Sequence, residues 1–389
     1  MSFARKIRLT VCAGALLAVL PLAASAQIKV GVTVSSTGPA ASLGIPERDT
    51  VALLPTEIGG QTVQYIVLDD ATDTTQAVKN IRKFTADDGV DVVLGTSATP
   101  GTLAMSDVAA ETGTPLISLA ANVKLVEPVD GPRKWVFKTT QNDALMAHAL
   151  ADAMVKQGVK TLGFIGFSDA YGDGWSQEMA IAAKAKGIQV LGDERFARPD
   201  TSVTGQILKL LSLKPDGILI AASGTPVALP QRELVNRGYK GLIYQTHGAA
   251  NSDVLRVCGK DCEGMILPAG PLLVAGQLPD SHPVKQSALV YTRAYEGKYG
   301  EGTINTFGGH MWDAGQIIQH AIPEALKTGA KPGTPEFRAA LRDAIEQTHE
   351  LPASQGVFNM TPTDHSGLDE RSRVMVKVVG GKWTYQPDL

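Results

Sequence analysis

The chain has three cysteines in 389 residues and little else that marks a reactive or metal-bearing protein. Cys12 lies inside an N-terminal apolar stretch, which leaves Cys258 and Cys262 as a pair four positions apart. No His or Cys close by in sequence completes a set of metal ligands around them. Basic residues are dispersed, with no Lys/Arg run, and the net charge is −3. A nucleic acid or an anionic membrane therefore finds no footprint. After residue 26 no apolar stretch reaches membrane-spanning length. Catalytic signatures are missing too: there is no G-x-S-x-G, no G-x-x-x-x-G-K-[ST] and no H-E-x-x-H. Gly172-Asp173-Gly174 is a turn before a helix, not a dinucleotide fingerprint. The seven histidines are scattered, and His310 and His320 share a helical stretch without metal-ligand spacing. These absences speak against an enzyme and imply no catalytic residue, metal or cofactor.

What is present begins with residues 1–26, which read as a cleavable export signal. Arg5, Lys6 and Arg8 give a positive start, Leu9 to Leu22 an apolar core, and Ala24-Ser25-Ala26 a small-residue cleavage point before Gln27. The apolar run, interrupted by Pro21, is too short for a stable membrane anchor, and Cys12 lies inside it rather than at its end, where a lipoprotein cysteine would be. The expected mature chain starts near Gln27 and works outside the cytoplasm. Loss of the three basic residues takes its net charge from −3 to −6. In an oxidising compartment Cys258 and Cys262 are expected to form a small disulfide loop that staples the chain without chemistry of its own.

The remainder is too long for one compact core and suits two domains. Short apolar strands alternate with helical patterns: strands at 28–34, 63–70, 90–95 and 115–120, helices at 74–87 and 102–111. The alternation then starts afresh. Helices are expected at 143–157, 173–186, 203–213 and 227–237, and strands at 161–167, 188–191, 217–222 and 242–245. Long helices follow at 283–299, 305–326 and 335–347, and a hairpin at 374–385 turns on Gly380-Gly381. This is α/β architecture with parallel sheets covered on both faces, in two successive units. No low-complexity linker separates them, so the chain is expected to cross between lobes more than once and leave a hinged cleft at the carboxyl ends of the strands.

Hydroxyl- and glycine-rich loops lie at those strand ends: 36–42, 95–101 and 118–122. Backbone N–H groups at a helix start, beside Ser and Thr hydroxyls, suit a carboxylate. The same residues are also ordinary helix caps.

The segments IKVGVTVSSTGPAASLG (28–44), LDDATD (68–73), VDVVLGTSATPGTLAMSDVAAETGTPLISLAA (90–121), GFSDAYGDGW (166–175) and FGGHMWDAG (307–315), in that order, resemble the periplasmic solute-binding proteins of branched-chain amino-acid type ABC transporters. The resemblance implies a type I periplasmic binding protein fold: two doubly wound parallel-sheet lobes joined by a three-crossover hinge. The lobes are expected to comprise 27–142 with 270–354 and 143–269 with 355–389. It also implies a ligand site. Thr99 falls where a hydroxyl holds the ligand carboxylate, Ala120 and Asn122 at a contacting strand end, Tyr171 and Phe307 where aromatics reach into the cleft, with Ser42, Leu43 and Phe167 beside them. The acid that pairs with an amino acid's ammonium group falls at His247, and here it is absent. A buried ammonium without a partner is costly. A histidine there favours an acid without an ammonium group, and it can donate to a hydroxyl, carbonyl or second carboxylate. With Leu43, Phe167, Tyr171, Phe307 and Trp312 as apolar surface, an aromatic acid is the expected ligand. The alternative is that Asp169 or Asp143 replaces the missing acid and the ligand is an amino acid. The expected partners are a small carboxylate and the permease subunits of an ABC importer, with the receptor acting as a monomer. A sensor of the same fold is a further alternative.

Overall fold

The computed structural model describes residues 27–389, so the export-signal reading lies outside the described residues. The first sheet has the order β2-β3-β1-β4-β5-β6. Its strands are β1 (Ile28–Val34), β2 (Glu57–Ile58), β3 (Gln61–Asp69), β4 (Val92–Gly95), β5 (Leu116–Ser118) and β6 (Val136–Lys138). All pair in parallel except the short β2. The helices between them are α1 (Ala41–Val51), α2 (Thr74–Lys83) and α3 (Thr99–Thr112). β4 is buried at every position, as expected of a strand covered on both faces. Asp73 caps α2 by accepting from the Gln76 N–H at 2.7 Å. Gly113, at φ 58°, takes the left-handed turn that ends α3.

The second sheet follows with α4 (Asp143–Lys156), β7 (Thr161–Phe167), α5 (Ala170–Ala185), β8 (Gln189–Phe196), α6 (Thr204–Ser212), β9 (Gly217–Ala221), α7 (Ala228–Asn236), β10 (Leu242–Gln245), α8 (Ser252–Cys258) and β11 (Ile266–Ala269). The chain then returns to the first lobe through α9 (Lys285–Tyr299), α10 (Thr306–Lys327), α11 (Pro335–Ile345) and the small pair β12 (Leu351–Pro352) and β13 (Val357–Phe358). Met311, Ile317, Phe337 and Leu341 join the core under β1. Phe358 and Met360 pack there too, so the tail rejoins the second lobe after them, later than residue 355. It does so with β14 (Val374–Val379), antiparallel to β11, and β15 (Lys382–Tyr385). The second sheet runs β15-β14-β11-β10-β9-β7-β8.

Three passages between the sheets give the type I periplasmic binding fold, and polar contacts stitch them together. Gln141 Nε2 donates to the Ser372 carbonyl at 2.9 Å, joining the first passage to the last, while within the first lobe Asp313 accepts from the N–H groups of Ser354 and Gln355 at 2.7 and 2.9 Å. Cys258 and Cys262 are disulfide-bonded across the end of α8, with Cα atoms 5.5 Å apart. Among the described residues no helix is long and apolar enough to cross a membrane.

Candidate ligand-binding site

The carboxyl ends of the two sets of strands face each other across a narrow cavity. The first lobe contributes Ser97, Ala98 and Thr99 after β4, Leu119 to Ala121 after β5, Thr140 after β6, Leu43 of α1 and Phe307 of α10. The second lobe contributes Tyr171 after β7, Arg198 after β8, Ser223 after β9, and His247 and Gly248 after β10. The cavity leaves about 20 Å³ of room. That is on the order of one or two water molecules, so a ring-sized ligand needs the lobes to part before it can enter.

The hydroxyl-rich loops spend their side chains on one another. Thr96 donates to Asp70, and Ser97 donates to Glu47 while accepting from the Ser35 N–H at 3.0 Å. Thr99 Oγ1 donates to the Ala121 carbonyl at 2.5 Å, and Thr140 Oγ1 to the Ala120 carbonyl at 2.6 Å. A hydroxyl has one proton to give, so in this arrangement Thr99 fixes a loop and has only lone pairs left. What faces the cavity instead is the start of α3, which no side chain caps. Glu47 is fully buried, which pushes its carboxyl well above the usual carboxylate range.

Ser42, Asn122, Phe167 and Trp312 do not line the cavity. Ser42 Oγ accepts from the Thr225 N–H at 3.1 Å, and Asn122 Nδ2 donates to the Ala170 carbonyl at 2.7 Å. Both contacts join the two lobes, because the polar ends of α1 and β5 meet the opposite rim. Phe167 is fully buried and serves as a platform under Arg198, whose guanidinium carbon lies 4.2 Å from the ring centroid. Trp312 packs on Tyr291 at 5.3 Å, inside the first lobe.

Arg198 escaped the sequence reading. β8 is an edge strand whose GDERF end is polar, so its apolar pattern stops early; the structure carries the strand to Phe196 and delivers Arg198 to the cleft. Its Nε donates to Asp169 Oδ2 at 2.7 Å and its Nη1 to Ser223 Oγ at 3.1 Å, and its side chain is only 11% exposed. Asp169 Oδ1 also accepts from the Tyr171 and Gly172 N–H groups at 2.9 and 3.3 Å, capping α5. Tyr171 Oη meets Thr246 Oγ1 at 2.7 Å, and burial holds the phenol above its ordinary pKa. Gly248 must lack a Cβ, which would stand 2.6 Å from Tyr171 Oη. Burial pushes His247 down to about 3, so the imidazole facing the cavity is neutral.

Ala98 and Arg198 also border an adjoining cavity that Asp70, Asp73 and Asp169 line, while no acidic side chain is among the residues lining the narrow cavity itself. Asp143 stands behind it, fully buried, pushed up to about 7 by desolvation and opposed by Lys138. No group of three or more His, Cys, Asp or Glu suited to a metal occurs among the described residues.

A family model described as periplasmic binding protein matches residues 27–382. No curated protein matches the chain. Among solved structures, an extracellular ligand-binding receptor from Rhodopseudomonas palustris HaA2 is 46% identical over 92% of this chain and 99% of its own, with a TM-score of 0.89. A leucine-binding protein from Thermotoga maritima MSB8 shares the fold at 21% identity, 92% and 97% coverage and a TM-score of 0.80. So does the solute-binding protein of an ABC transporter from R. palustris in complex with benzoate, at 19% identity, 93% and 96% coverage and a TM-score of 0.77. With nearly its whole described length matched, the chain belongs to the periplasmic binding protein family.

Proposed function

We propose that this protein is a periplasmic receptor of an ABC importer, that it binds a small carboxylate, an aromatic acid, between its lobes, and that it delivers the acid to a permease. The observation that carries this reading is the charge of the cavity wall: Arg198 is on it and no carboxylate is. The ligand carboxylate lies between the guanidinium and the uncapped start of α3, where the helix dipole also favours negative charge. Leu43, Phe307 and Tyr171 offer apolar faces for a ring. The benzoate complex of a protein of the same fold supports such a ligand.

An α-amino acid fits this wall poorly. Its ammonium group would be buried without an acid, since Asp169 is engaged with Arg198 and with the cap of α5. Closing on the ligand follows from contacts made by both lobes, because only differential affinity for the closed form shifts the population. Thermal-shift measurements on the mature protein test the reading, since a ligand that binds only the folded state raises its stability by mass action. Benzoate or 4-hydroxybenzoate should raise the melting temperature, and leucine and valine should leave it unchanged. Micromolar binding of leucine by calorimetry would overturn the assignment.

A further inference from the structure

Glu47 is a fully buried acid that the carboxylate reading leaves without a task. It sits on α1 one turn after Leu43, so the two share a helix face, and Leu43 lines the cavity. Gly44 lets α1 press onto the loop after β1: a Cβ there would stand 2.2 Å from the Ser35 carbonyl. Glu47 Oε2 is hydrogen-bonded to Ser97, which lines the cavity and accepts from the Ser35 N–H at 3.0 Å. Glu47 Oε1 is buried without a partner. Among the described residues no Lys, Arg or His pairs with Glu47, and the charge that acts on it is that of another acid, Asp70. Asp70 is held by four donors, the hydroxyls of Ser35, Thr96 and Thr33 and the Thr72 N–H. Glu47 has one. Burial, and after it the charge of Asp70, hold the Glu47 carboxyl well above the usual carboxylate range, against the pull of the Ser97 bond.

The Ser97 hydroxyl has one proton and two lone pairs. With Glu47 ionised, that proton goes to Glu47, and an anion in the cavity would meet a lone pair. With Glu47 protonated, the bond reverses. Glu47 then donates, the lone pairs of Ser97 are taken by Glu47 and the Ser35 N–H, and the Ser97 proton is free to turn toward the cavity.

We propose that Glu47 takes up a proton when a carboxylate binds, so that the receptor captures its ligand as an anion together with a proton. The inference rests on the carboxylate reading above and adds its regulation by pH. The uncapped start of α3, where that reading seats the carboxylate, follows Ser97 directly in the chain. One O–H bond forms, on Glu47, with a proton from solvent, and otherwise only hydrogen bonds change. The bound anion is a further negative charge near Glu47 and disfavours its ionised form. By reciprocity, protonated Glu47 strengthens the binding of the anion. The buried titratable groups of α10, which packs on α1, are engaged elsewhere: His310 with the Thr139 backbone, and Asp313 with the N–H groups of Ser354 and Gln355. Tyr291 of α9 meets Thr50 at 2.7 Å. Burial pushes Asp313 and Asp143 up to about 7 and Lys138 down to about 8, so these groups also titrate near neutrality. The comparison of variants therefore carries the test.

Calorimetry on the mature chain, with benzoate and cinnamate as probes, measures the coupling. Both acids stay ionised from about pH 6 to about pH 9, and paired buffers of different ionisation enthalpy count the protons taken up on binding. Wild type should take up between about half and one proton per acid at some pH in this range, with affinity falling by up to about tenfold per pH unit there. Glu47→Gln keeps a donor toward Ser97 and cannot accept a proton, so its uptake should be lower by at least about half a proton and its affinity should fall less steeply. Ser97→Ala cuts the link between Glu47 and the anion and should lose the same share. Binding by the wild type without proton uptake at any pH overturns the proposal, as does an uptake that survives in full in Glu47→Gln or Ser97→Ala. Should Glu47→Gln fail to fold, the wild type and Ser97→Ala still decide. A wild-type protein that binds neither acid overturns the carboxylate reading itself, an outcome distinct from binding without proton uptake.

Discussion

Arg198 and Asp169 form an ion pair at the mouth of the cleft, with Nε 2.7 Å from Oδ2 and both side chains mostly shielded from water. The other carboxylate oxygen of Asp169 caps α5, so both are in use. This pairing removes the acid that could have received an ammonium group. It also holds the guanidinium against Phe167 and Ser223, in place for an incoming anion.

Arg198→Met should therefore lower affinity for a bound aromatic acid severely. Removing one member of a buried charge contact costs about 2–5 kcal/mol, or roughly thirtyfold and upward in the dissociation constant. Asp169 still caps α5, so the fold should survive. Calorimetry of the variant checks this, and an unchanged dissociation constant would sink the assignment of Arg198.

Closure should depend on the contacts of Ser42 with Thr225 and Asn122 with Ala170. Each is worth about 1 kcal/mol, so losing both shifts the open–closed balance by roughly thirtyfold toward open. Ser42→Ala with Asn122→Gly is the suitable variant, since Asn122 sits at φ 153°, where glycine is at ease. Small-angle scattering should find the unliganded variant more extended than wild type, and ligand should compact it. Identical scattering curves would show that these bonds do not hold the lobes.

The two buried histidines set a pH response. Each has a folded-state pKa near 3, below the ordinary value of 6.5, so the unfolded chain takes up protons first as pH falls. Their contribution is complete above pH 6.5 and is lost on descent toward pH 3, at about 1.4 kcal/mol per pH unit for each group that is protonated only when unfolded. Denaturant titrations from pH 7 to 4 should show wild type losing stability more steeply than a His247→Phe, His310→Leu variant. Parallel slopes would contradict the assignment.

Much of the fold could be read directly from the chain. The runs VVLG and GILIA are apolar at every position and buried at every position, because a parallel strand covered on both faces has no solvent side to mark with polar residues. The expected strands at 161–167 and 242–245 fall on β7 and β10. α1 was missed because it has no apolar stripe. It buries Glu47 and Thr50 alongside Leu43 and Val51 and carries Pro46, so helical periodicity is absent from its sequence. The disulfide follows from having only two cysteines after residue 26 and an oxidising destination.

The site divided differently. Cavity residues at 99, 120, 171 and 247 follow strand ends, which in this architecture point at the crevice, while 43 and 307 lie in α1 and α10 and are legible only through the resemblance of the segments around them. The roles of the side chains are not. Whether Thr99 offers its proton to a ligand or to the Ala121 carbonyl depends on a loop 22 residues away in sequence. Whether Asp169 is free depends on Arg198, which a charged edge strand hides from any apolar pattern. Local sequence determined the elements and the order in which they fold back, because periodicity and turn chemistry act over a few residues. Only the tertiary structure decided which polar groups are already paired, because hydrogen bonds and charges are satisfied between residues that the chain brings together from far apart.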